Sequence, residues 1–341
     1  MGFHIAVQEP VRRTESVGVS PDAFRSLIGN SPAHADLLER CTRFVQGGLR
    51  DILLTGEPGT GKALLARAIH NASARSGEAF LTVDCSALTP DALEVDLFGR
   101  AYGAQENGRL EREGLLQLAG AGTIFIRRID MLPAEMQPRM LAALRERSAR
   151  PIGSREAYEI RCAVFSSAGN DFEAAVSNGR FRADLHEFLT RSRETLPPLS
   201  ERSDDVPELA AHFLSEVSHA EGMPVKLLMP EAVELLMGHR WRGNVRELRR
   251  VVRDCFFRSE GDQIEAGDVR LKRVEGGRST SRRQGTQIHI PPGGKSLEDI
   301  EGEAIEAILR GTSGNKSAAA RILGISRPTL LRKIGKYGLT V

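Results

Sequence analysis

Apolar residues recur along this chain with two different periods, and the change from one to the other divides it. Leu37, Leu38, Cys41, Phe44 and Val45 are spaced for one buried face of a helix predicted over 31–47, with Asn30 or Ser31 available as its cap ahead of Pro32. Short apolar runs at 51–54, 80–83, 122–126 and 162–165, the last inside a segment 158–166, read as strands. Between them, 63–70, 91–98 and 133–146 carry helical spacing. Strands alternating with helices imply an α/β fold, a parallel sheet covered on both faces. After Pro197-Pro198 only helices are predicted, at 206–219, 230–238 and 244–258, which makes a small helical lobe. Residues 272–295 are rich in Gly, Ser, Arg and Pro and lack an apolar face, so they read as a linker. Helical spacing then resumes from 296 to 341, and the opening residues 1–24, without periodicity, read as a flexible lead-in too short for a sensory domain.

Composition excludes more than it selects. The chain is 40% hydrophobic and 27% charged with a formal net charge of +2, so overall charge says little about partners. No basic stretch followed by an apolar run opens the chain, and no segment approaches the roughly 18 apolar residues that span a bilayer, which predicts a cytoplasmic protein without membrane contact. Four cysteines, Cys41, Cys85, Cys162 and Cys255, are scattered without a CxxC pair and sit beside apolar residues; they read as reduced, buried thiols, and no metal site is predicted.

The chemistry that stands out is the run Gly56, Glu57, Pro58, Gly59, Thr60, Gly61, Lys62, Ala63, which follows the strand at 51–54 and opens the helix at 63–70. Strand, GxxxxGK, helix is the order of a P-loop. Its glycines let backbone N–H groups turn inward, the helix start adds positive dipole, and the lysine reaches terminal phosphates. ATP or ADP is the ligand this pattern predicts. Ala63 departs from it, standing where Ser or Thr would offer Mg²⁺ a hydroxyl.

With the P-loop in place, five further strings follow in order: Asp96-Leu97-Phe98-Gly99, Gly122-Thr123-Ile124-Phe125-Ile126, Phe181-Arg182-Ala183-Asp184-Leu185, Leu196-Pro197-Pro198-Leu199-Ser200-Glu201-Arg202, and Trp241-Arg242-Gly243-Asn244-Val245-Arg246-Glu247-Leu248. In these residues 26–341 resemble the sigma-54-dependent transcription activators, or bacterial enhancer-binding proteins. The resemblance implies a P-loop AAA+ α/β subdomain over 25–195, an AAA+ helical lid over 196–271, the linker at 272–295 and an all-α Fis-like helix-turn-helix over 296–341. It also implies a ring-forming ATPase that remodels sigma-54 RNA polymerase from an upstream DNA site, with Arg246 as the lid's phosphate sensor and Arg182 as an arginine finger acting on a neighbouring subunit. Trp241 and Leu248 read as core.

Several working parts of that family are replaced. Where its pattern continues the strand after Ile126 with Asp to hold Mg²⁺ and Glu to polarise water, this chain has Arg127 and Arg128. A guanidinium neither accepts a proton nor ligates a cation. One such charge about 5 Å from Mg²⁺ would repel it by roughly 6–7 kcal/mol at an effective dielectric near 20. The segment 103–108 replaces the family's sigma-contacting GAFTGA and has no aromatic residue or threonine, the sensor position reads Ser166-Ser167, and the second finger position is Phe188. The expectation is a nucleotide-binding AAA+ body without turnover or Mg²⁺, with Arg127 or Arg128 neutralising phosphates in the metal's place. The competing expectation is an active ATPase driving sigma-54 promoter opening, in a mixed ring whose related subunit supplies the acids; a third is a plain architectural DNA binder.

The C-terminal segment carries the second chemistry. A helix over 296–310 presents Leu297, Ile300, Ala304, Ile305, Ile308 and Leu309; 315–323 is a second helix of small residues; Gly324 supplies a turn and Ser326 a cap. A third helix from 327 to about 337 alternates buried Leu330, Leu331 and Ile334 with Arg327, Thr329, Arg332, Lys333 and Lys336. This is helix-turn-helix geometry for the major groove of double-stranded DNA, with Arg327 and Thr329 reading bases and Arg332, Lys333 and Lys336 holding phosphates. Partners predicted are DNA, a homo-oligomer or a hetero-oligomer with a related AAA+ activator, and, less directly, RNA polymerase.

Overall fold

The computed structural model describes residues 24–48, 50–101 and 112–271, together with 301–337 except 303, 307, 310–315, 317, 318, 321, 322, 324 and 326. The segment 103–108, the linker 272–295 and the proposed Gly324 turn and Ser326 cap lie outside the described residues. The chain forms two compact units, Met1–Arg273 and Val274–Val341.

The first unit opens with α1 (Pro32–Gln46), and of the two candidate caps it is Ser31 whose Oγ accepts from the His34 amide at 3.2 Å. Five parallel strands follow: β1 (Asp51–Thr55), β2 (Phe80–Asp84), β3 (Thr123–Arg127), β4 (Ala163–Ser167) and β5 (Arg193–Thr195), in the spatial order β2-β3-β4-β1-β5. Period-two alternation sends successive side chains to opposite faces. Leu53, Ile124, Ile126 and Val164 therefore enter one core, and Ile52, Leu54, Phe125, Ala163 and Phe165 the other. Helices α2 (Lys62–Ala72), α3 (Pro90–Phe98), α4 (Gln137–Glu146) and α5 (Ala183–Thr190) cover the sheet. The lobe beyond it consists of α6 (Val206–Glu221), α7 (Pro230–Met237) and α8 (Asn244–Arg258), packed around Trp241, whose Nε1 donates to Leu236 O.

Two expectations need correction, and two short elements were not anticipated. The strand expected over 162–165 is β4, but ahead of it Tyr158–Glu159 pairs antiparallel with Ser148–Ala149. The edge strand β5 carried no long apolar run because only Glu194 of its three residues is buried. Helix α4 starts at Gln137 rather than 133; residues 134–136 form a turn, and the Gln137 side chain donates to Leu132 O. The lobe is not purely helical, since Leu227–Leu228 pairs in parallel with Gln263–Ile264.

In the second unit Ile305, Leu309, Ala319, Ala320 and Leu330 form the core, the two small alanines letting helices approach closely. The last helix, α9, spans Arg327–Lys336. Leu331, expected in the core, is 44% exposed: Leu330 and Ile334, one turn apart, already occupy the inner face.

A polar group enclosed between α2 and the sheet makes the fold acid-sensitive. His70 Nδ1 lies 2.9 Å from Thr123 Oγ1, the ring meets Phe80 edge-on at 5.2 Å, and burial pushes its pKa down from 6.5 to about 4. Between those values the unfolded chain binds more protons than the folded one, so stability falls as pH is lowered from 6.5 toward 4. The expected loss is about 2–3 kcal/mol by pH 4.5. Urea unfolding followed by the fluorescence of Trp241 at pH 7 and 4.5 checks this: His70→Gln should lower stability at pH 7 and shrink its fall on acidification.

Candidate functional site

The carboxyl ends of β1, β2, β3 and β4 open on one cleft of about 1130 Å³, closed on its far side by the helical lobe. Residues 58–63 line it, continuing from Gly56 and Glu57 at the end of β1. Gly56 and Gly59 have φ of +130° and +83°, which a side chain would resist. Space excludes one as well: a Cβ at Gly59 would lie 2.2 Å from the Gly243 carbonyl oxygen, and one at Gly56 2.6 Å from that of Leu196. These glycines thus let the lobe and the loop after β5 press onto the P-loop, besides turning its amides. Thr60 Oγ1 donates to Glu57 O at 2.9 Å, and Lys62 Nζ donates to Gly56 O at 2.6 Å and Glu57 O at 2.9 Å. Burial pushes the Lys62 ammonium down to about 8, with Asp130 nearby opposing that shift and Arg128 and Arg246 adding to it.

The ends of β2 and β3 carry the site's unusual charges. Asp84 and Arg127 stand opposite each other in register, with Nη1 to Oδ2 at 3.4 Å, and Asp84 also accepts from the amide and hydroxyl of Ser86. Arg128 leaves the strand in the left-handed region at φ 53°, and its Nε and Nη2 grip Asp130 at 3.2 and 2.9 Å. Asp130 Oδ1 accepts as well from the Gly169 amide at 3.3 Å. Both arginines line the cleft, each with its own carboxylate, so the repulsion expected from bare guanidinium charges is largely offset.

These donors fit a polyphosphate better than a divalent cation. The loop residues 58–61, Lys62 and Arg246 line one cavity, whereas Mg²⁺ needs about six oxygens in near-octahedral array. Ala63 lines the cleft without a hydroxyl, and both strand-end carboxylates hold arginines. Among the described residues no group of three or more His, Cys, Asp and Glu could hold a metal, and all four cysteines are free and buried.

The lobe is tied to the P-loop by buried polar contacts. Asn244, fully buried at the start of α8 with φ 52°, donates from Nδ2 to Glu57 Oε2 and Pro58 O at 2.9 and 3.1 Å, while its Oδ1 accepts from Leu199 N at 2.7 Å. Two residues on, the Arg246 amide donates to Gly59 O at 3.3 Å, which holds its side chain in the cleft. Arg202 Nη2 donates to Thr60 O at 3.0 Å and pairs with Asp205 at 3.7 Å; the Asp205 carboxylate in turn accepts from the amides of Asn30 and Ser31 at 2.8 and 2.7 Å.

Of the positions expected from the sequence to hold phosphate, Pro58 to Ala63 and Arg246 line this cleft, whereas Gly56 and Glu57 do not. Arg182 does not line the cleft: at the start of α5 it is half-exposed and paired with Asp184 at 2.8 Å. Phe188 packs against the core. Ser166 and Ser167 are buried, the latter accepting from the Arg128 amide at 3.4 Å, and Asn170 reaches the cleft instead. Sequence reasoning passed over Asp84, Asp130, Asn170, Arg202 and Asn244 as site residues. Arg202 and Asn244 stood inside quoted strings, and Asn is one of the few residues that takes up the left-handed backbone Asn244 adopts. In the second unit, α9 carries Thr329, Arg332, Lys333 and Lys336 as expected, but Lys333 is held by Glu301, which also accepts from the Tyr337 hydroxyl.

Comparison with known proteins gives three family matches: "Sigma-54 interaction domain" over residues 27–193, "AAA+ ATPase lid domain" over 200–286 and "Bacterial regulatory protein, Fis family" over 296–337. The transcriptional regulatory protein ZraR of Escherichia coli (strain K12) is 36% identical over 322 residues, 94% of this chain and 71% of that protein. The crystal structure of NtrX from Brucella abortus in complex with ATP is similar at a TM-score of 0.69 and 28% identity, covering 92% of this chain and 69% of that one. Its complex with ADP gives 0.66 and 27%, over 92% and 70%.

The tie at Asn244 is testable on its own. Asn244→Gly keeps the backbone free to adopt positive φ and removes all three side-chain bonds. It should cost about 2–4 kcal/mol and weaken ATP binding through a loosened lobe, measured by thermal unfolding and by calorimetric titration.

Proposed function

The chain belongs to the family of sigma-54-dependent transcriptional regulators, with a AAA+ domain, its lid and a Fis-type helix-turn-helix, and we propose that within it this protein is a DNA-binding regulator that holds nucleotide without hydrolysing it. One observation carries the reading. At the end of β3 two guanidinium groups stand where hydrolysis needs carboxylates, and the nearest acids, Asp84 and Asp130, are engaged by them. The Asp130 carboxylate accepts from the Arg128 guanidinium and from the Gly169 amide, so its oxygens are committed to those donors rather than turned toward a water. The amides of 56–62, with Lys62 and Arg246, supply what binding requires, and NtrX, of similar fold, crystallises with ATP and with ADP.

The bound nucleotide would serve assembly, since the cleft lies between sheet and lobe. Oligomerisation with itself or with a related activator follows from that role. Arg182 favours a second reading, in which this chain joins a mixed ring: it is exposed and away from its own cleft, as a residue acting on a neighbour's nucleotide would be. The last helix supplies the address on double-stranded DNA, with Arg327 and Thr329 at base edges and Arg332 and Lys336 on phosphates. Among the described residues no helix is long and apolar enough to cross a membrane, and the proposed place of action is the cytoplasm, with the chromosome.

Three outcomes are expected. The purified chain should bind ATP yet release no phosphate above background, and Lys62→Ala should abolish that binding. Because the Lys62 ammonium titrates near 8 and a phosphate favours its charged form, nucleotide affinity should fall as pH rises above about 8, with proton uptake on binding in calorimetry run in two buffers. Lys336→Ala should weaken binding to all DNA sequences alike and reduce the slope of log K against log salt by about 0.9; Lys333→Ala should also destabilise the module by freeing Glu301. Steady phosphate release that Lys62→Ala removes would refute the central reading.

A further inference from the structure

The P-loop cleft holds more fixed positive charge than a Mg²⁺-nucleotide needs. Lys62, Arg128 and Arg246 line it together, and two of the three rest on partners that a polyphosphate would replace. Lys62 is folded back on the carbonyls of Gly56 and Glu57. Arg128 lies across Asp130, and the two side chains differ sharply in exposure: the carboxylate is 5% exposed and the guanidinium 46%. Asp130 is therefore the fixed member of the pair, anchored by the Gly169 amide, and Arg128 the one free to swing into the cleft. Arg127 is less suited, because its partner Asp84 stands beside it in strand register.

We propose that this site takes nucleotide in its metal-free form, with Arg128 supplying the positive charge that a divalent cation supplies elsewhere and Asp130 serving as the counter-ion that holds Arg128 until the phosphates arrive. The ligand class is a nucleoside di- or triphosphate anion without bound metal. Charge arithmetic favours it. A free triphosphate carries about two more negative charges than its Mg²⁺ complex, and three convergent cations meet that excess. A Mg²⁺ complex would bring its metal beside a guanidinium, with Ala63 lacking the hydroxyl ligand and Asp130 occupied. A guanidinium also suits the task geometrically, since its planar fork matches two phosphate oxygens. The left-handed backbone at Arg128 is strain at a residue with a Cβ, placed where the chain must turn this side chain over the cleft.

The inference rests on the nucleotide-binding reading above but fails separately from it. Calorimetric titration of the full chain with ATP and with ADP should be run in excess Mg²⁺ and in EDTA, with phosphate release followed alongside. The expected result is binding in EDTA at least as tight as in Mg²⁺. Arg128→Ala should lose roughly 10- to 100-fold of the EDTA affinity, as expected for a charge-assisted contact, and Arg128→Lys should recover part of it. Asp130→Asn, which releases Arg128, should leave that affinity unchanged or raise it, and thermal unfolding reports whether each variant is folded. Binding that needs Mg²⁺, and is lost in Asp130→Asn, would overturn the proposal and make Asp130 a metal ligand displaced three positions along the chain. Phosphate release in Mg²⁺ would instead overturn the non-hydrolysing reading, and absence of binding under every condition would overturn both.

Discussion

The close approach of the P-loop to the helical lobe is the constraint on which the site depends. Gly59 and Gly243 pass with no room for a side chain, and Asn244 fills the remaining gap with three hydrogen bonds. Such bonds are worth little individually when water is the alternative, but much when their loss strands buried groups. Here the alternative is a Leu199 amide left unpaired in the interior, with the Glu57 carboxylate and Pro58 carbonyl losing partners in partly buried surroundings. The lobe is thereby fixed over the loop, and Arg246 reaches the cleft because its own amide is bound to Gly59. Arg202 and Asp205 extend the tie to the start of α1, so that loop, lobe and leading segment answer to one another.

A second theme is compensation of charge. Two arginines at a strand end would, with nothing to answer them, leave uncompensated cations at the mouth of a partly enclosed cleft. The fold places one aspartate beside each: Asp84 through strand pairing, and Asp130 through a short 3-10 turn that brings it back to Arg128. Each of these two cations thus has an anion of its own. Its proposed chemistry, anion binding without water activation, follows from acids committed to guanidinium groups and a lysine free to leave backbone carbonyls. The shape of the P-loop serves the lobe's packing, since a side chain at Gly59 would meet the Gly243 carbonyl.

Much of this was legible in the residues themselves. Alternation along β1, β3 and β4 divides their side chains between two cores, and such a division requires helices on both faces. Ser31 at its cap, the glycine-lysine loop between strand and helix, and the small residues at Ala319 and Ala320 each announced their place through local chemistry. What escaped were short elements and paired charges. Strand β5 is three residues long at the sheet edge, and the hairpin of 148–149 with 158–159 is two residues on each side, lengths at which periodicity carries no signal.

The sequence by itself determined the fold class, the order of its parts and the phosphate-binding loop, because these depend on side-chain period and on glycine and lysine at fixed short spacing. Tertiary structure alone decided which acids answer Arg127 and Arg128, that Leu331 faces outward, and that Asn244 and Arg202 hold the lobe to the loop. Several of those outcomes join residues from different elements, Asn244 and Glu57 lying 187 positions apart. A pattern read along the chain carries no information about which distant groups the folded backbone brings within hydrogen-bonding distance.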